Sequence, residues 1–123
     1  MADHNELGKK GEEMAQKFLA KKGYTIVATN WRYSKDEIDI IARKDSCLVI
    51  VEVKTRFSNV FGEPEEFVNN KKQTFLIRAA NAYVEKNNIQ EDVRFDIISV
   101  LYCGTRWQIN HIEDAYYPSR YNQ

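Results

Sequence analysis

Three carboxylates and a lysine interrupt two apolar segments in the first half of the chain. Residues 38–42 and 47–53 are typical of strands, yet four charged side chains lie within or beside them: Glu37, Asp39, Glu52 and Lys54. Charged groups rarely occupy buried strands unless a partner compensates them. Facing carboxylates also repel each other unless a proton or a cation lies between them. The pattern therefore indicates a hard divalent cation held by oxygen ligands, and the neighbouring lysine suits a phosphate-bearing substrate.

A tight β-hairpin is the local structure that would bring these charges together. We take Asp45 and Ser46 as the two turn residues, so that Lys44 faces Cys47 across the hairpin. Two-residue turns leave little freedom in the pairing of the strands that they join. The turn therefore predicts the register of every residue pair further along the two strands.

In this register Asp39 lies opposite Glu52, and Glu37 lies opposite Lys54. Side chains alternate between the faces of a strand with a period of two, so all four polar groups should share one face. The alternative is an edge hairpin whose charges simply face water. Leu48 favours a cleft instead, because it shares the face of Glu52 and Lys54 and makes that face apolar at one end.

The remaining segments predict how this hairpin is held. The 123 residues, of which 43% are hydrophobic, suffice for one domain spanning 1–123. Periodicity predicts helices over 5–22, with Asp3 and Glu6 as a capping box, and over 65–86. It predicts further strands over 24–31, 93–103 and 107–112, an exposed loop over 55–64, and a partly ordered tail from about 115. The order α-β-β-β-α-β-β indicates an α+β fold in which helices cover a mixed sheet.

The composition limits the function classes. Eighteen basic and eighteen acidic residues cancel, so any nucleic-acid binding must rely on a local patch. The charged N-terminus has no apolar signal region, and no segment reaches membrane-spanning length, which predicts a cytoplasmic protein without a membrane partner. Cys47 and Cys103 are interpreted as reduced, buried thiols rather than a disulfide. His4 and His111 have no second ligand at zinc-site spacing, which disfavours zinc.

Several further charged residues can border the cleft. Glu12 lies at the edge of the apolar stripe of the first helix, either as an extra metal ligand or as a solvated acid near a helix start. Helical spacing places Lys72 within a buried stripe, where a phosphate contact and a lysine reaching out to solvent are equally compatible. For Arg56, Lys71 and Gln73 the default interpretation is exposure to solvent. Asp96, on the central strand 93–103, is given a structural role, paired with Arg94 or a backbone donor.

These residues carry a resemblance to a known family. The chain resembles the YraN-like family of bacterial proteins, which are similar to Holliday-junction resolvases within the PD-(D/E)XK, restriction-endonuclease-like superfamily. The likeness runs over nearly the whole chain, and its motifs are Gly11-Glu12, Glu37-Ile38-Asp39, Val51-Glu52-Val53-Lys54-Thr55-Arg56, Lys72-Gln73, Arg94-Phe95-Asp96, His111-Ile112 and Asp114-Ala115. The resemblance implies a restriction-endonuclease-like αβββαβ core.

The resemblance also implies a mechanism. Mg²⁺ or Mn²⁺ would be bound by Asp39, Glu52 and the carbonyl of Val53, with Glu12 as a further ligand, and would activate a water for attack on a phosphodiester. Lys54 would orient that water or neutralise charge on the phosphate. The catalytic set implied is Asp39, Glu52, Lys54 and Glu37, and the nucleic-acid-binding set is Arg56, Lys71, Lys72 and Gln73. The implied partner is DNA, branched or otherwise structured, cut by a homodimer because a resolvase needs two active sites.

One departure from the family keeps other functions open. The family usually has glycine before Glu37, whereas this chain has Asp36, which adds a negative charge beside the site. With zero net charge, this departure suits a catalytically silent nucleic-acid-binding or adaptor domain that keeps the nuclease fold. A protein-interaction scaffold without any nucleic-acid contact is a third hypothesis.

Overall fold

A computed structural model describes residues 4–57 and 68–118, whose elements follow the predicted order. The elements are α1 (His4–Lys21), β1 (Thr25–Tyr33), β2 (Asp36–Lys44), β3 (Cys47–Phe57), α2 (Asn70–Lys86), β4 (Asp92–Cys103) and β5 (Arg106–Tyr116). The α+β class and the αβββαβ core are therefore confirmed. Neither helix of the described part is long and apolar enough to cross a membrane.

The five strands form one sheet in the order β1-β2-β3-β4-β5. Neighbouring strands are antiparallel except for β3 and β4, which are parallel. A parallel pair needs a crossover connection, and α2 lies within the connection between these two strands. The sheet is thus mixed, as predicted, with β3 at its centre.

Each face of the sheet packs against one helix. Ala15 and Leu19, four residues apart on α1, are buried against Val51 of β3. On the other face Leu76 of α2 is buried against Ile50 of β3. Because side chains alternate along β3, this strand supplies apolar groups to both layers, which explains why its sequence is a nearly continuous apolar run.

The predicted β2–β3 hairpin is confirmed in its register. Lys44 pairs with Cys47, and the pairing continues to Ile40 with Val51. Asp45 and Ser46 have φ values of +51° and +63°, the positive values that a type I′ turn requires at both central residues. The local turn therefore sets how the two strands carrying Asp39 and Glu52 meet.

Two predicted boundaries were wrong. The segment 55–57, assigned to a loop, continues β3, because each of its residues pairs in parallel with β4 through to Phe57 and Tyr102. The second helix begins at Asn70 rather than near 65, because Asn69 caps it by accepting the Lys72 N–H at 2.8 Å. Val68 is buried but precedes the helix. Residues 58–67, which hold the rest of the predicted loop and helix start, lie outside the described residues.

The last strand is longer than the predicted 107–112, and part of the predicted tail lies outside the described residues. β5 runs on to Tyr116, whose ring is buried and stacks on Phe95 at 5.2 Å between centroids, so the ordered structure extends past 115. The rest of the predicted tail, 119–123, and Asp3 of the predicted capping box lie outside the described residues. Cys47 and Cys103 are free thiols, as predicted, although both are only half-buried.

Candidate active site

Asp39 lies where β2 and β3 cease to pair. The backbone ladder ends at Ile40 and Val51, and beyond it a carboxylate oxygen of Asp39, Oδ2, accepts the N–H of Val53 at 2.8 Å. A side chain thus takes the hydrogen bond that a strand backbone would otherwise accept. This contact holds the Asp39 carboxyl beside the Glu52–Val53 peptide, at the position the register predicts.

The Asp39 and Glu52 carboxyl groups form a close pair. Burial raises the pKa of Asp39 to about 8, and the hydrogen bond that its protonated carboxyl donates to Glu52 and the charge of Glu52 add to that increase. Glu52 is 9% exposed, and its Oε2 atom is buried without a hydrogen-bond partner among the described residues. Such a pair is stabilised by a shared proton or by a cation.

Lys72 of α2 reaches this pair from the helix. Its Nζ atom lies 3.5 Å from Oε2 of Glu52 and 5.4 Å from the centroid of the Phe75 ring. Its side chain is also 36% exposed, so the ammonium meets both Glu52 and solvent, in keeping with both interpretations given for Lys72. Whether it contacts a phosphate stays a prediction.

Glu12 and Glu37 join the site through an asparagine. The amide of Asn30 donates to Oε1 of Glu12 at 3.0 Å and to Oε1 of Glu37 at 3.3 Å. Burial raises the pKa of Glu12; the Asn30 hydrogen bond opposes this increase, while the charges of Asp39 and Glu37 add to it. Through Asn30, Glu12 and Glu37 thus lie side by side, and the charge of Asp39 acts on Glu12.

Asn30 is the site residue that the sequence reasoning missed. It lies within β1 at φ +49°, a conformation in which asparagine is enriched among residues other than glycine. A polar residue in the run Thr29-Asn30-Trp31 was the available signal, but it breaks no periodicity and points to no particular partner.

A close approach between α1 and β3 positions Glu12. Gly11 is buried, and a Cβ atom built on it would lie 2.0 Å from the hydroxyl oxygen of Thr55. Only glycine permits this separation, because real Cβ contacts do not approach so closely. Gly8, one turn earlier, has open space around it. The glycine of the Gly11-Glu12 motif thus brings the helix against the strand beside the site.

The prediction that all four polar groups share one face is wrong for Glu37. Ile38 and Ile41 both lie in the apolar layer under α2, so strict alternation fails between them. Ile38 pairs with Trp31, and Glu37 pairs with Arg32 of β1 instead of Lys54. The reason is that β2 pairs with β3 only from Ile40 to Lys44, so that residues 36–38 at its start pair with β1 alone.

Lys54 and Arg56 lie further along β3. Lys54 pairs with Ser99 of β4, and the period of two places it on the face of Glu52. Within the described residues its ammonium has no ion-pair partner. Arg56 is exposed near the end of the strand. Lys54 therefore lies on the same face of β3 as Glu52, and Arg56 lies near the end of the strand.

Gln73 and Lys71 do not converge on the carboxylate pair. The side-chain amide of Gln73 donates to the carbonyl oxygen of Val68 at 2.7 Å, where it supports the start of α2. Lys71 is exposed and lines a separate cavity beside the β1–β2 turn. Their predicted contacts with nucleic acid stay predictions.

The donor set is compatible with a hard cation. In residues 4–57 and 68–118 no three His, Cys, Asp or Glu side chains stand as a ready metal cluster. Mg²⁺ does not require one, because it keeps several waters and is commonly bound through one or two carboxylates. The buried Oε2 of Glu52, which lacks a hydrogen-bond partner within the described residues, and the adjacent Asp39 carboxyl fit this requirement.

A second buried carboxylate, Asp96, lies elsewhere in the sheet. It accepts hydrogen bonds from the Arg94 guanidinium at 2.9 and 2.7 Å, from the backbone N–H of Asp114 at 3.0 Å, and contacts Nε2 of His111 at 2.7 Å. Burial would raise the pKa of Asp96, but the hydrogen bonds from His111, Arg94 and Asp114 outweigh it and lower the value. The predicted structural pairing with Arg94 is confirmed.

The mixed sheet, the helix on each face and the facing carboxylates define an α+β protein with a restriction-endonuclease-like core. The chain belongs to the uncharacterised protein family UPF0102, whose sequence model matches residues 11–100. It is 52% identical over 117 residues to a UPF0102 protein of Flavobacterium psychrophilum, covering 95% of this chain and 98% of that protein. A UPF0102 protein of Bacteroides thetaiotaomicron is 48% identical over 118 residues, with 96% and 98% covered. The resemblance to the YraN-like family is thereby confirmed at the level of the family.

Proposed function

We propose that the protein is a metal-dependent endonuclease that hydrolyses phosphodiester bonds in branched or otherwise structured DNA. One observation carries the proposal: Oε2 of Glu52 is buried without a hydrogen-bond donor, beside the carboxyl group of Asp39. A buried acidic pair without full compensation is unfavourable for stability and is typical of sites that bind a cation or a proton. The likeness of the motifs to the restriction-endonuclease-like superfamily supports DNA as the substrate.

The ion would be Mg²⁺ or Mn²⁺, held by Asp39, Glu52 and the carbonyl oxygen of Val53, with Glu12 as a further ligand. When bound, it would supply Lewis-acid stabilisation of the phosphate and a more acidic water. Carboxylate and carbonyl oxygens suit these hard cations better than zinc. Oxygen ligands are therefore the basis of the choice of metal.

The side chains around the acidic pair would each have a separate role in binding or cleaving DNA. Lys54, without an ion-pair partner in the described part, would orient the attacking water or neutralise negative charge on the phosphate. Glu37 would complete the acidic set from its hydrogen bond with Asn30. The ammonium of Lys72 would leave Glu52 for a phosphate oxygen when DNA binds. Arg56, Lys71 and Gln73 would contact the DNA outside the acidic pair.

Cleavage of defined DNA substrates tests the proposal. Pure protein is incubated with four-way junctions, flaps, single strands and plasmid in Mg²⁺ or Mn²⁺. We expect cleavage that Asp39→Asn lowers roughly a thousandfold, because metal-assisted stabilisation of the transition state amounts to several kcal/mol. Glu85→Gln removes an exposed acid from α2 and should leave the rate unchanged. Equal amounts of cleaved DNA from wild type and Asp39→Asn would refute the proposal that the protein is an endonuclease.

A catalytically silent DNA-binding or adaptor domain is the second candidate. The ammonium of Lys72 already lies 3.5 Å from Glu52, so a cation compensates the pair in part without a metal. In this case binding to DNA would survive both Glu52→Gln and chelator, because phosphate contacts would supply the affinity. Loss of binding under both conditions would exclude it. Absence of any salt-dependent binding to DNA or RNA would instead favour a protein-interaction scaffold.

A homodimer would follow from paired cleavage of a junction, since two strands need two sites. Light scattering of the protein with and without a junction substrate measures this. A protein that stays monomeric on the junction would exclude paired cleavage while leaving single-strand cleavage possible.

A further inference from the structure

A cavity of about 580 Å³ lies between the β1–β2 turn and α2, beside the candidate active site. Two aromatic side chains and four charged side chains contribute to its lining: Tyr33, Phe75, Lys35, Lys71, Arg78 and Asp36. Three of the charged groups are cations and one is an anion, so the lining carries an excess of positive charge although the whole chain has none. We call this cavity the aromatic cleft.

The aromatic cleft adjoins the carboxylate pair through shared residues. Phe75 lines the cleft, and its ring also lies 5.4 Å from the ammonium of Lys72, which in turn lies 3.5 Å from Glu52. Lys71, the preceding residue on α2, extends into the cleft instead. A ligand in the cleft would therefore lie within a side chain's reach of the site that cleaves the phosphodiester.

The aromatic rings form a stacking surface. Tyr33 and Phe75 have centroids 6.0 Å apart with planes tilted by 44°, and Tyr33 stacks on Trp31 at 6.2 Å. Base–aromatic stacking with positive charge alongside is the common mode of binding single-stranded nucleic acid, because every base has a π-face and every nucleotide carries a phosphate. In duplex DNA these faces are covered by neighbouring bases.

We propose that the aromatic cleft binds an unpaired nucleotide segment of DNA, stacking a base on Tyr33 and Phe75 while Lys35, Lys71 and Arg78 contact the flanking phosphates. This inference rests on the proposed endonuclease function and deepens it, because it makes an unpaired segment next to the cleaved bond the feature that the protein selects. Flaps and splayed arms carry such segments next to the branch point, whereas continuous duplex does not.

Binding measured without metal tests the cleft separately from catalysis. The probe is a short fluorescein-labelled oligodeoxythymidylate, compared with a duplex of equal length, by fluorescence anisotropy of the full chain in chelator. We expect the single strand to bind at least tenfold more tightly than the duplex. Tyr33→Leu should weaken single-strand binding roughly tenfold, because it removes the stacking face but keeps an apolar side chain. Tyr33→Phe should restore it.

The charged part of the cleft has a matched control on the same helix. Lys71→Ala or Arg78→Ala should lower the slope of log affinity against log salt by about 0.7 for each phosphate that the protein no longer neutralises. Lys86→Ala removes an exposed lysine at the far end of α2 and should leave the slope unchanged. Because Lys71 and Arg78 are exposed, these variants should fold, which their unfolding midpoints would verify.

The possible outcomes test binding by the aromatic cleft and endonuclease activity independently of each other. Single-strand binding that depends on Tyr33, Lys71 and Arg78, without any cleavage in Mg²⁺, supports the cleft and refutes the endonuclease. Cleavage that depends on Asp39, with strand binding unchanged in all the cleft variants, supports the enzyme and overturns the cleft. Equal affinity for duplex and single strand also overturns it.

Discussion

Asp96 and Glu52 lie on neighbouring strands of one sheet, and both carboxylates are largely removed from solvent, 0% and 9% exposed. Asp96 accepts hydrogen bonds from a guanidinium, a backbone N–H and a histidine, whereas Oε2 of Glu52 has no hydrogen-bond partner in the described part of the chain. Asp39, hydrogen-bonded to Glu52, has a raised pKa, while that of Asp96 is lowered. Buried charge is thus compensated by several hydrogen-bond donors at Asp96, whereas at Glu52 the compensation comes from the Lys72 ammonium 3.5 Å away and the proton shared with Asp39.

The largest effect on stability is expected at Asp96, whose buried carboxylate accepts several hydrogen bonds. Asp96→Asn should lower the free energy of unfolding by about 3 kcal/mol, because it removes the buried carboxylate from the Arg94 guanidinium, whose remaining anionic partner within the described residues is the exposed Glu113 at 3.3 Å. Urea unfolding measures the change, with Asp92→Asn, at an exposed position of the same strand, as the control. If Asp96→Asn proved no more destabilising than the control, the two clusters would not differ in the way described.

Removing the charge at Asp39 should raise the free energy of unfolding, which is the opposite of the effect expected for Asp96→Asn. The unfolded chain releases this proton near 3.8 and the folded chain only near 8, so the folded state binds more protons between these values. The free energy of unfolding of the metal-free protein should therefore fall as pH rises through this window, and Asp39→Asn should remove that fall. At pH 8 the variant should be more stable than wild type by at least about 1.4 kcal/mol, the equivalent of one pKa unit.

Urea unfolding midpoints from pH 5 to pH 9 in chelator would measure this. For Asp96 the sign is reversed: its lowered pKa supplies stability above its ordinary value, which is lost as pH falls below about 4. If the free energies of unfolding of wild type and Asp39→Asn changed in parallel with pH, the raised pKa of Asp39 would be contradicted.

The next effect concerns the packing that places Glu12 beside Asp39. Gly11→Ala should destabilise the protein by about 2 kcal/mol, because its Cβ would overlap Thr55 and push α1 away from β3. Gly8→Ala, in open space on the same helix, should stabilise it by about 0.5–1 kcal/mol through helix propensity. Thermal unfolding of both variants tests the pair. Equal shifts of one sign would mean that the close approach is not needed.

The smallest effect is expected at Asn30. Asn30→Gly keeps the positive φ but removes the amide that joins Glu12 and Glu37, so Mn²⁺ affinity should fall about tenfold with little change in stability. Asn88→Gly, at φ +50° on an exposed turn, is the matched control. Calorimetric titration with Mn²⁺ measures both. An unchanged affinity in Asn30→Gly would show that the amide does not organise the acidic groups.

Much of the fold and the centre of the candidate site could be predicted from the sequence, because both depend on short-range chemistry. Asp45 and Ser46 favour a two-residue turn, and such a turn leaves one register for the strands beside it. That register places Asp39 beside Glu52. Helical spacing in the same way places Lys72 on the buried side of α2, where its ammonium meets Glu52. The element order followed from periodicity, which is likewise local.

Features that depend on contacts between distant segments could be seen only in the tertiary structure. Because β2 pairs with β3 only from Ile40 onward, Glu37 pairs with Arg32 of β1 instead of a residue of β3. Parallel pairing with β4 extends β3 to Phe57. Asn30 meets Glu12, eighteen residues earlier, only because Gly11 allows α1 to approach the sheet so closely. Propensity and spacing predict the structure of each segment taken alone. The geometry of a site that forms where a helix packs on a sheet depends instead on which surfaces of distant segments fit together.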